Sequence, residues 1–293
     1  MQQLVQLFVC ILLIALTKRL SYNRLVTLCR MIKLAANLDW LWKELPLPTR
    51  VESASKAGFH YLESLNPYAH DVHVWRELLH AHQVELVLVN TPPGSSKDQK
   101  VKGLAAWPSK KPEFQSCFSV ALEYAETLHV PLVHATSGPV LSAPNWQTQQ
   151  ETYVENLRWA CSQAAIKGIT VTIEPLSPRD APGSFMASLS HALETIALVN
   201  QPNLKLQFDL YHQQILHGDI ITKLRDHRHV IGHIQIAGVP DRTEPDLGEL
   251  NANRILDELQ ILGYSGFIGC EYRPAGPTPE AGLGWAKPYL EPN

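Results

Sequence analysis

The chain has 293 residues, 45% hydrophobic and 18% charged, with 25 lysines and arginines against 28 acids and a formal net charge of −3. That length suits one large α/β domain or two small ones, and the charge balance offers no cationic field for a phosphate backbone or an anionic bilayer, so nucleic acid is not an expected partner. The five cysteines, Cys10, Cys29, Cys117, Cys161 and Cys270, are an odd set without a close C-x-x-C pair, which argues against a disulfide framework or structural zinc and for a reducing, cytoplasmic setting.

In chain order, the first thirty residues differ from the rest. Residues 4–16 are nearly continuously apolar, broken by Gln6 and followed by Lys18, Arg19, Arg24 and Arg30. A membrane helix needs about 20 apolar residues, and a signal peptide carries its positive charge before the apolar core. Residues 1–30 are therefore read as an apolar extension upstream of a start at Met31, with a membrane-associating leader as the alternative. Residues 31–293 read as one domain without a membrane span.

From Met31 onward, short runs rich in Val, Ile, Leu and aromatics recur at 33–36, 61–62, 85–89, 131–133, 170–173, 204–208, 231–236 and 267–270. Between them lie longer stretches with helical apolar spacing, such as 114–128, 153–166, 189–199 and 255–262, the last followed by Gly263 as a helix stop. This alternation predicts βαβ crossovers and a parallel sheet. Because no glycine-rich dinucleotide fingerprint follows any strand, the expectation is a single closed (β/α)8 TIM barrel, not an open sheet.

The residues that end these strands are polar: Asn37, Glu63, Asn90, His134, Glu174, Asp209, Gln235 and Glu271. In a barrel they form one ring around the mouth where active sites are built. Acids converging there would repel and raise one another's pKa unless a cation sat among them. Glu174, Asp209, Gln235 and Glu271 offer only oxygen donors if the glutamine presents its carbonyl, a set that suits Mg²⁺ or Mn²⁺, whereas zinc would favour histidine or cysteine.

The segments Ala36-Asn37-Leu38, Glu63 followed by Pro67-Tyr68, Asn90-Thr91-Pro92-Pro93-Gly94, Ile173-Glu174-Pro175, Gln207-Phe208-Asp209 with His212, His233-Ile234-Gln235-Ile236-Ala237 and Gly269-Cys270-Glu271-Tyr272 together resemble the hydroxypyruvate isomerase family of xylose isomerase-like barrels. The resemblance runs from Met31 to about Tyr289. It implies Glu174, Asp209, Gln235 and Glu271 as metal ligands, Glu174 and Glu271 as the proton donor and acceptor, and a small hydroxy-oxo acid as substrate, hydroxypyruvate going to tartronate semialdehyde. The 2-oxo-tetronate isomerase branch is similar in Ala237-Gly238-Val239-Pro240-Asp241-Arg242 with Glu244-Pro245-Asp246 and in Glu174-Pro175-Leu176-Ser177-Pro178, and is the competing expectation.

The chemistry agrees with that resemblance. Moving a carbonyl to the adjacent carbon removes a proton from one carbon and delivers it to the neighbour through an enediolate, which two carboxylates can do while a metal stabilises the developing charge. Arg242 is the candidate for a substrate carboxylate, because a guanidinium can hold one bidentately. His212, His134 and Asn90 are candidates for substrate contacts. Glu63 is read as pocket floor or ion-pair partner without a catalytic role. Trp40, Trp42 and Trp107 are candidates to cover the pocket, and 94–112 to form a lid. The chain departs from the family at Ser95, Trp107-Pro108-Ser109, Asn66 and Ala252, all outside the metal set, which bears on substrate identity and not on reaction type. Two other classes compete: a metal-dependent endonuclease on a related barrel, disfavoured by the oxygen ligands and negative charge, and a binding protein without turnover. The oligomeric state is open, a homo-oligomer included.

Overall fold

A computed structural model describes residues 32–96, 102–142 and 145–290; the apolar extension expected at 1–30 lies outside them. Eight parallel strands close into a barrel in sequence order: β1 Lys33–Asn37, β2 Tyr61–Ser64, β3 Glu85–Asn90, β4 Leu132–His134, β5 Thr170–Ile173, β6 Leu204–Asp209, β7 Ile231–Ile236 and β8 Phe267–Cys270. Closure is made by β1 against β8, with Leu34 opposite Ile268 and Ala36 opposite Cys270. Around it lie α1 Leu47–Lys56, α2 Val72–His82, α3 Lys111–Leu128, α4 Trp146–Ile166, α5 Leu189–Val199, α6 Leu210–Leu216, α7 Ile220–His227, α8 Ala252–Ile261 and the single turn α9 Pro279–Gly282.

The expected (β/α)8 barrel is thus the fold. Apolar runs locate strands well because the residues of a parallel barrel are buried on both faces. Helix starts are less visible. The helix α4 begins at Trp146, not 153, because its opening Gln147, Thr148, Gln149, Gln150 and Glu151 carry no apolar period; Asn145 caps it, its side chain accepting from the Thr148 N–H at 3.0 Å. Between α3 and α4, Phe114, Phe118 and Trp159 pack with ring centroids 5.8 to 6.4 Å apart. Burying one such ring is worth roughly 2 kcal/mol.

The loops above β3, β4 and β5 are stitched together, and this fixes three of the strand ends. Gly103 bridges Ser137 and Pro139 bridges Ser184. Gly103 has φ +114°, and a Cβ there would lie 2.3 Å from the Thr136 carbonyl oxygen, so only glycine fits. The expected lid over 94–112 is not a free flap in its described second half. Leu104, Ala105 and Ala106 are buried, and the Ala105 and Ala106 carbonyls accept from Asn156 and Gln149 of α4 at 2.8 and 3.2 Å. Trp42 is likewise a packing residue, buried with its Nε1–H on Glu280 at 2.7 Å. Among the described residues no helix is long and apolar enough to cross a membrane.

Candidate active site

The strand ends bring Glu174, Asp209, Gln235, Glu271, Arg242, His212 and His134 to one end of the barrel, all of them buried. Asn90 ends β3 half-buried, and its Oδ1 has no hydrogen-bond partner among the described residues. Each acid is oriented differently. Asp209 ends β6 and caps α6: its Oδ1 accepts from the Tyr211 N–H at 2.8 Å, leaving Oδ2 for the Arg242 guanidinium at 3.2 Å. Glu271, just past β8, accepts from Arg242 at 2.6 Å through Oε1 and from the Gln235 amide at 2.6 Å through Oε2. Glu174, just past β5, accepts from Gln207 at 3.0 Å. Beside it His134 Nδ1 has no hydrogen-bond partner among the described residues and lies 3.8 Å from Glu174 Oε2.

Arg242 is the only cation bonded to these acids among the described residues. It comes from the loop after β7 with φ +54° and lies over the rings of Trp40 and Tyr211, at 4.4 and 4.8 Å from their centroids. At the rim its Nη1 is 3.4 Å from Asp180. The guanidinium therefore bridges Asp209 and Glu271 instead of pairing with its sequence neighbours. Trp40, expected as a pocket cover, stacks on the arginine.

The charge does not balance. Burial, followed by the charges of Asp209 and Glu271, holds the Glu174 carboxyl well above the ordinary carboxylate range. Burial also raises Glu271 to about 8, against the lowering influence of Arg242. Three buried acids share one guanidinium, and a divalent cation would relieve the excess. The donor chemistry fits such an ion: hard carboxylate oxygens from Glu174, Asp209 and Glu271, with Gln235 Oε1 keeping a second lone pair beside the one that accepts from Gln207 at 2.8 Å.

Side-chain donors of Glu174, Asp209 and His212 also lie within 4.8 Å of one another, which would add a nitrogen ligand. The hydrogen bonding of His212 speaks against that. Its Nδ1 accepts from the Ser177 N–H at 3.2 Å, and burial lowers its pKa to about 4. The neutral ring thus carries its proton on Nε2, the atom 3.6 Å from Asp209 Oδ2. That nitrogen is a donor, suited to a substrate oxygen and not to a cation. Burial likewise lowers His134 to about 3, so it too is neutral.

A second polar layer lies beneath this one; the sequence reading placed Glu63 there, as pocket floor, and overlooked the rest. Glu63 is fully buried and accepts from His233 Nε2 at 2.5 Å, Gln235 at 3.0 Å and Asn37 at 3.1 Å. Gln207 accepts from the Thr172 hydroxyl at 3.1 Å. The signal was available: Thr172, Gln207 and His233 each stand two residues before Glu174, Asp209 and Gln235, and a strand places residues i and i+2 on the same face. At the matching position in β8 stands Gly269, where a Cβ would lie 2.1 Å from Glu63 Oε1.

Residues 51–289 match the model of the xylose isomerase-like TIM barrel family. The chain is 42% identical over 260 residues to the 2-oxo-tetronate isomerase of Cupriavidus necator, covering 89% of this chain and 99% of that one. It is 33% identical over 259 residues to the hydroxypyruvate isomerase of Escherichia coli K12, covering 88% and 100%. Among solved structures, the AP endonuclease, family 2, from Brucella melitensis superposes with a TM-score of 0.86 at 39% identity, covering 89% of this chain and all of that one.

Proposed function

The chain belongs to the xylose isomerase-like TIM barrel family, and from that premise we propose that it is an aldose–ketose-type isomerase of a small hydroxy-oxo acid, working in the cytoplasm with Mg²⁺ or Mn²⁺. The observation that carries the reading is the pairing of Glu174 and Glu271, two buried carboxyls of raised pKa joined from beneath by the amides of Gln207 and Gln235. The substrate is hydroxypyruvate, isomerised to tartronate semialdehyde.

One member of the pair, ionised, takes a proton from C3 of the acid and the other, protonated, delivers one to C2, while the C3 hydroxyl proton passes to the C2 oxygen, so that the C3 hydroxyl becomes the aldehyde and the C2 ketone becomes the hydroxyl. Raised pKa values suit both tasks, since a buried carboxyl near neutrality can hold or release a proton. The two are not equivalent, because Arg242 bonds Glu271 and, among the described residues, no cation bonds Glu174. His212 Nε2–H and the unpartnered His134 Nδ1 and Asn90 Oδ1 are the groups available to the substrate's hydroxyl and carbonyl oxygens, while Arg242, already between two acids, orients the substrate's carboxylate end. A divalent ion held by Glu174, Asp209, Glu271 and the Gln235 carbonyl would supply Lewis-acid stabilisation of the enediolate.

A second substrate is favoured by one observation. The loop Ala237 to Asp246 resembles the 2-oxo-tetronate branch, and the Cupriavidus necator enzyme of that name is 42% identical. Both acids are therefore to be assayed side by side with Mg²⁺, with Mn²⁺ and after chelation. Turnover of one of them that falls at least about 100-fold in Glu174→Gln and in Glu271→Gln is the expected result. Undiminished turnover in both variants would end the reading.

A further inference from the structure

Glu63 touches no group that the reaction requires to change, yet it is a fully buried carboxylate whose bonding organises the layer above it. A carboxylate is an acceptor only. Its three partners must therefore all present N–H: His233 Nε2 at 2.5 Å, Gln235 Nε2 at 3.0 Å and Asn37 Nδ2 at 3.1 Å.

The directions propagate. With its NH₂ turned to Glu63, Gln235 also donates to Glu271 Oε2 at 2.6 Å, and its carbonyl is left to accept from Gln207 at 2.8 Å. Gln207, its own carbonyl taken by the Thr172 hydroxyl, gives its remaining donor capacity to Glu174 at 3.0 Å. On the other side Asn37, its Oδ1 bonded by the Asp39 N–H at 3.1 Å, donates to Glu271 at 3.3 Å. A flip of any of the three amides would set a carbonyl against a buried carboxylate, so one acceptor beneath the site determines which atoms reach Glu174 and Glu271 from below. Gly269 supports the same device, because a side chain there would occupy the space of the Glu63 carboxylate.

We propose that Glu63 is a positioning residue for the isomerisation: it fixes the amide orientations of Gln235, Gln207 and Asn37 and through them the placement of the proton-transferring pair. The role rests on the isomerase reading of the site, but it makes a prediction of its own about the conservative variant. Glu63→Gln can still accept from Gln235 and Asn37 through its carbonyl if its NH₂ turns to His233 Nε2; His233 can then move its proton to Nδ1, which has no partner among the described residues. Glu63→Met, similar in length, offers no acceptor.

The experiment measures kcat, KM and calorimetric Mn²⁺ affinity for wild type, Glu63→Gln, Glu63→Met and Gly269→Ala, with a thermal melt of each. In Glu63→Met, kcat and Mn²⁺ affinity are expected to fall about 10- to 100-fold, the usual range for residues that orient ligands, with KM within about threefold. Glu63→Gln should keep most of both. Gly269→Ala, which removes no functional group but displaces the Glu63 carboxylate, should resemble the methionine variant, and it carries the test if Glu63→Met does not fold. A folded Glu63→Met or Gly269→Ala with wild-type kcat and Mn²⁺ affinity overturns the proposal, as does a Glu63→Gln as impaired as Glu63→Met. An inactive wild type whose Mn²⁺ affinity still falls tenfold in Glu63→Met would sink the isomerase reading and leave the positioning role standing.

Discussion

Arg242 shows how much one side chain decides. Its guanidinium reaches Asp209, Glu271 and Asp180 at once while lying over Trp40 and Tyr211, a combination that a planar fork can make and a point charge cannot. Arg242→Lys keeps the charge but loses the second carboxylate and the stacking. A fall of about 100-fold in kcat/KM is expected from the loss of charge-assisted bonds worth roughly 1.5 to 3 kcal/mol each; steady-state kinetics on the assayed acid would contradict this if the lysine variant turned over at the wild-type rate. The residue was legible in the sequence as a cation near the mouth. Its partners were not, because Asp209 and Glu271 lie 33 and 29 positions away and only barrel closure brings them to it.

Between β6 and α6, Asp209 serves the fold and the site with different oxygens, so the two uses can be separated. Asn at the same position still accepts from the Tyr211 N–H, since Asn and Asp cap helices about equally. The metal-free Asp209→Asn protein should therefore melt within about 4 °C of wild type, roughly 1 kcal/mol in a domain of this size, while its turnover falls at least about 100-fold. Large destabilisation, or retained turnover, would show that the two uses are not separable in this way. At this scale the strands were the most readable elements: 170–173, 231–236 and 267–270 coincide with β5, β7 and β8, because short runs rich in Val, Ile and aromatics that are buried on both faces announce themselves. The first turns of α3 and α4 were hidden by polar residues. Of the layer beneath, Glu63 was legible as pocket floor, whereas Thr172, Gln207 and His233 were hidden for a different reason. A period-2 polar pattern in so short a strand is overlooked once the strand end alone is taken as the site, and the fit of Glu63 against Gly269 joins β2 to β8 across 206 positions of chain.

For the molecule as a whole, the buried acids link stability to pH and to the metal. The folded-state pKa of Glu271, about 8, and that of Glu174, also raised, exceed the ordinary value of 4.5. Between those values the folded chain holds more protons than the unfolded one, so stability falls as pH rises. The lowered His134, His191, His212 and His217 pull the other way near their ordinary value of 6.5, where the unfolded chain sheds its histidine protons, and contribute little above about pH 7. Differential scanning calorimetry of the chelated protein should thus give a lower Tm at about pH 8 than at about pH 7, and Mn²⁺ should raise the Tm more at the higher pH, where fewer protons compete with it. A Tm that climbs over that window without metal would contradict the crowded-acid description. The most direct measurement is isomerisation in D₂O followed by NMR. Proton transfer through Glu174 and Glu271 predicts one solvent deuterium on C2 of the tartronate semialdehyde formed from hydroxypyruvate, lost together with turnover in Glu174→Gln and Glu271→Gln. Product that forms at the wild-type rate without deuterium, the mark of a direct hydride shift, would contradict the two-carboxylate reaction.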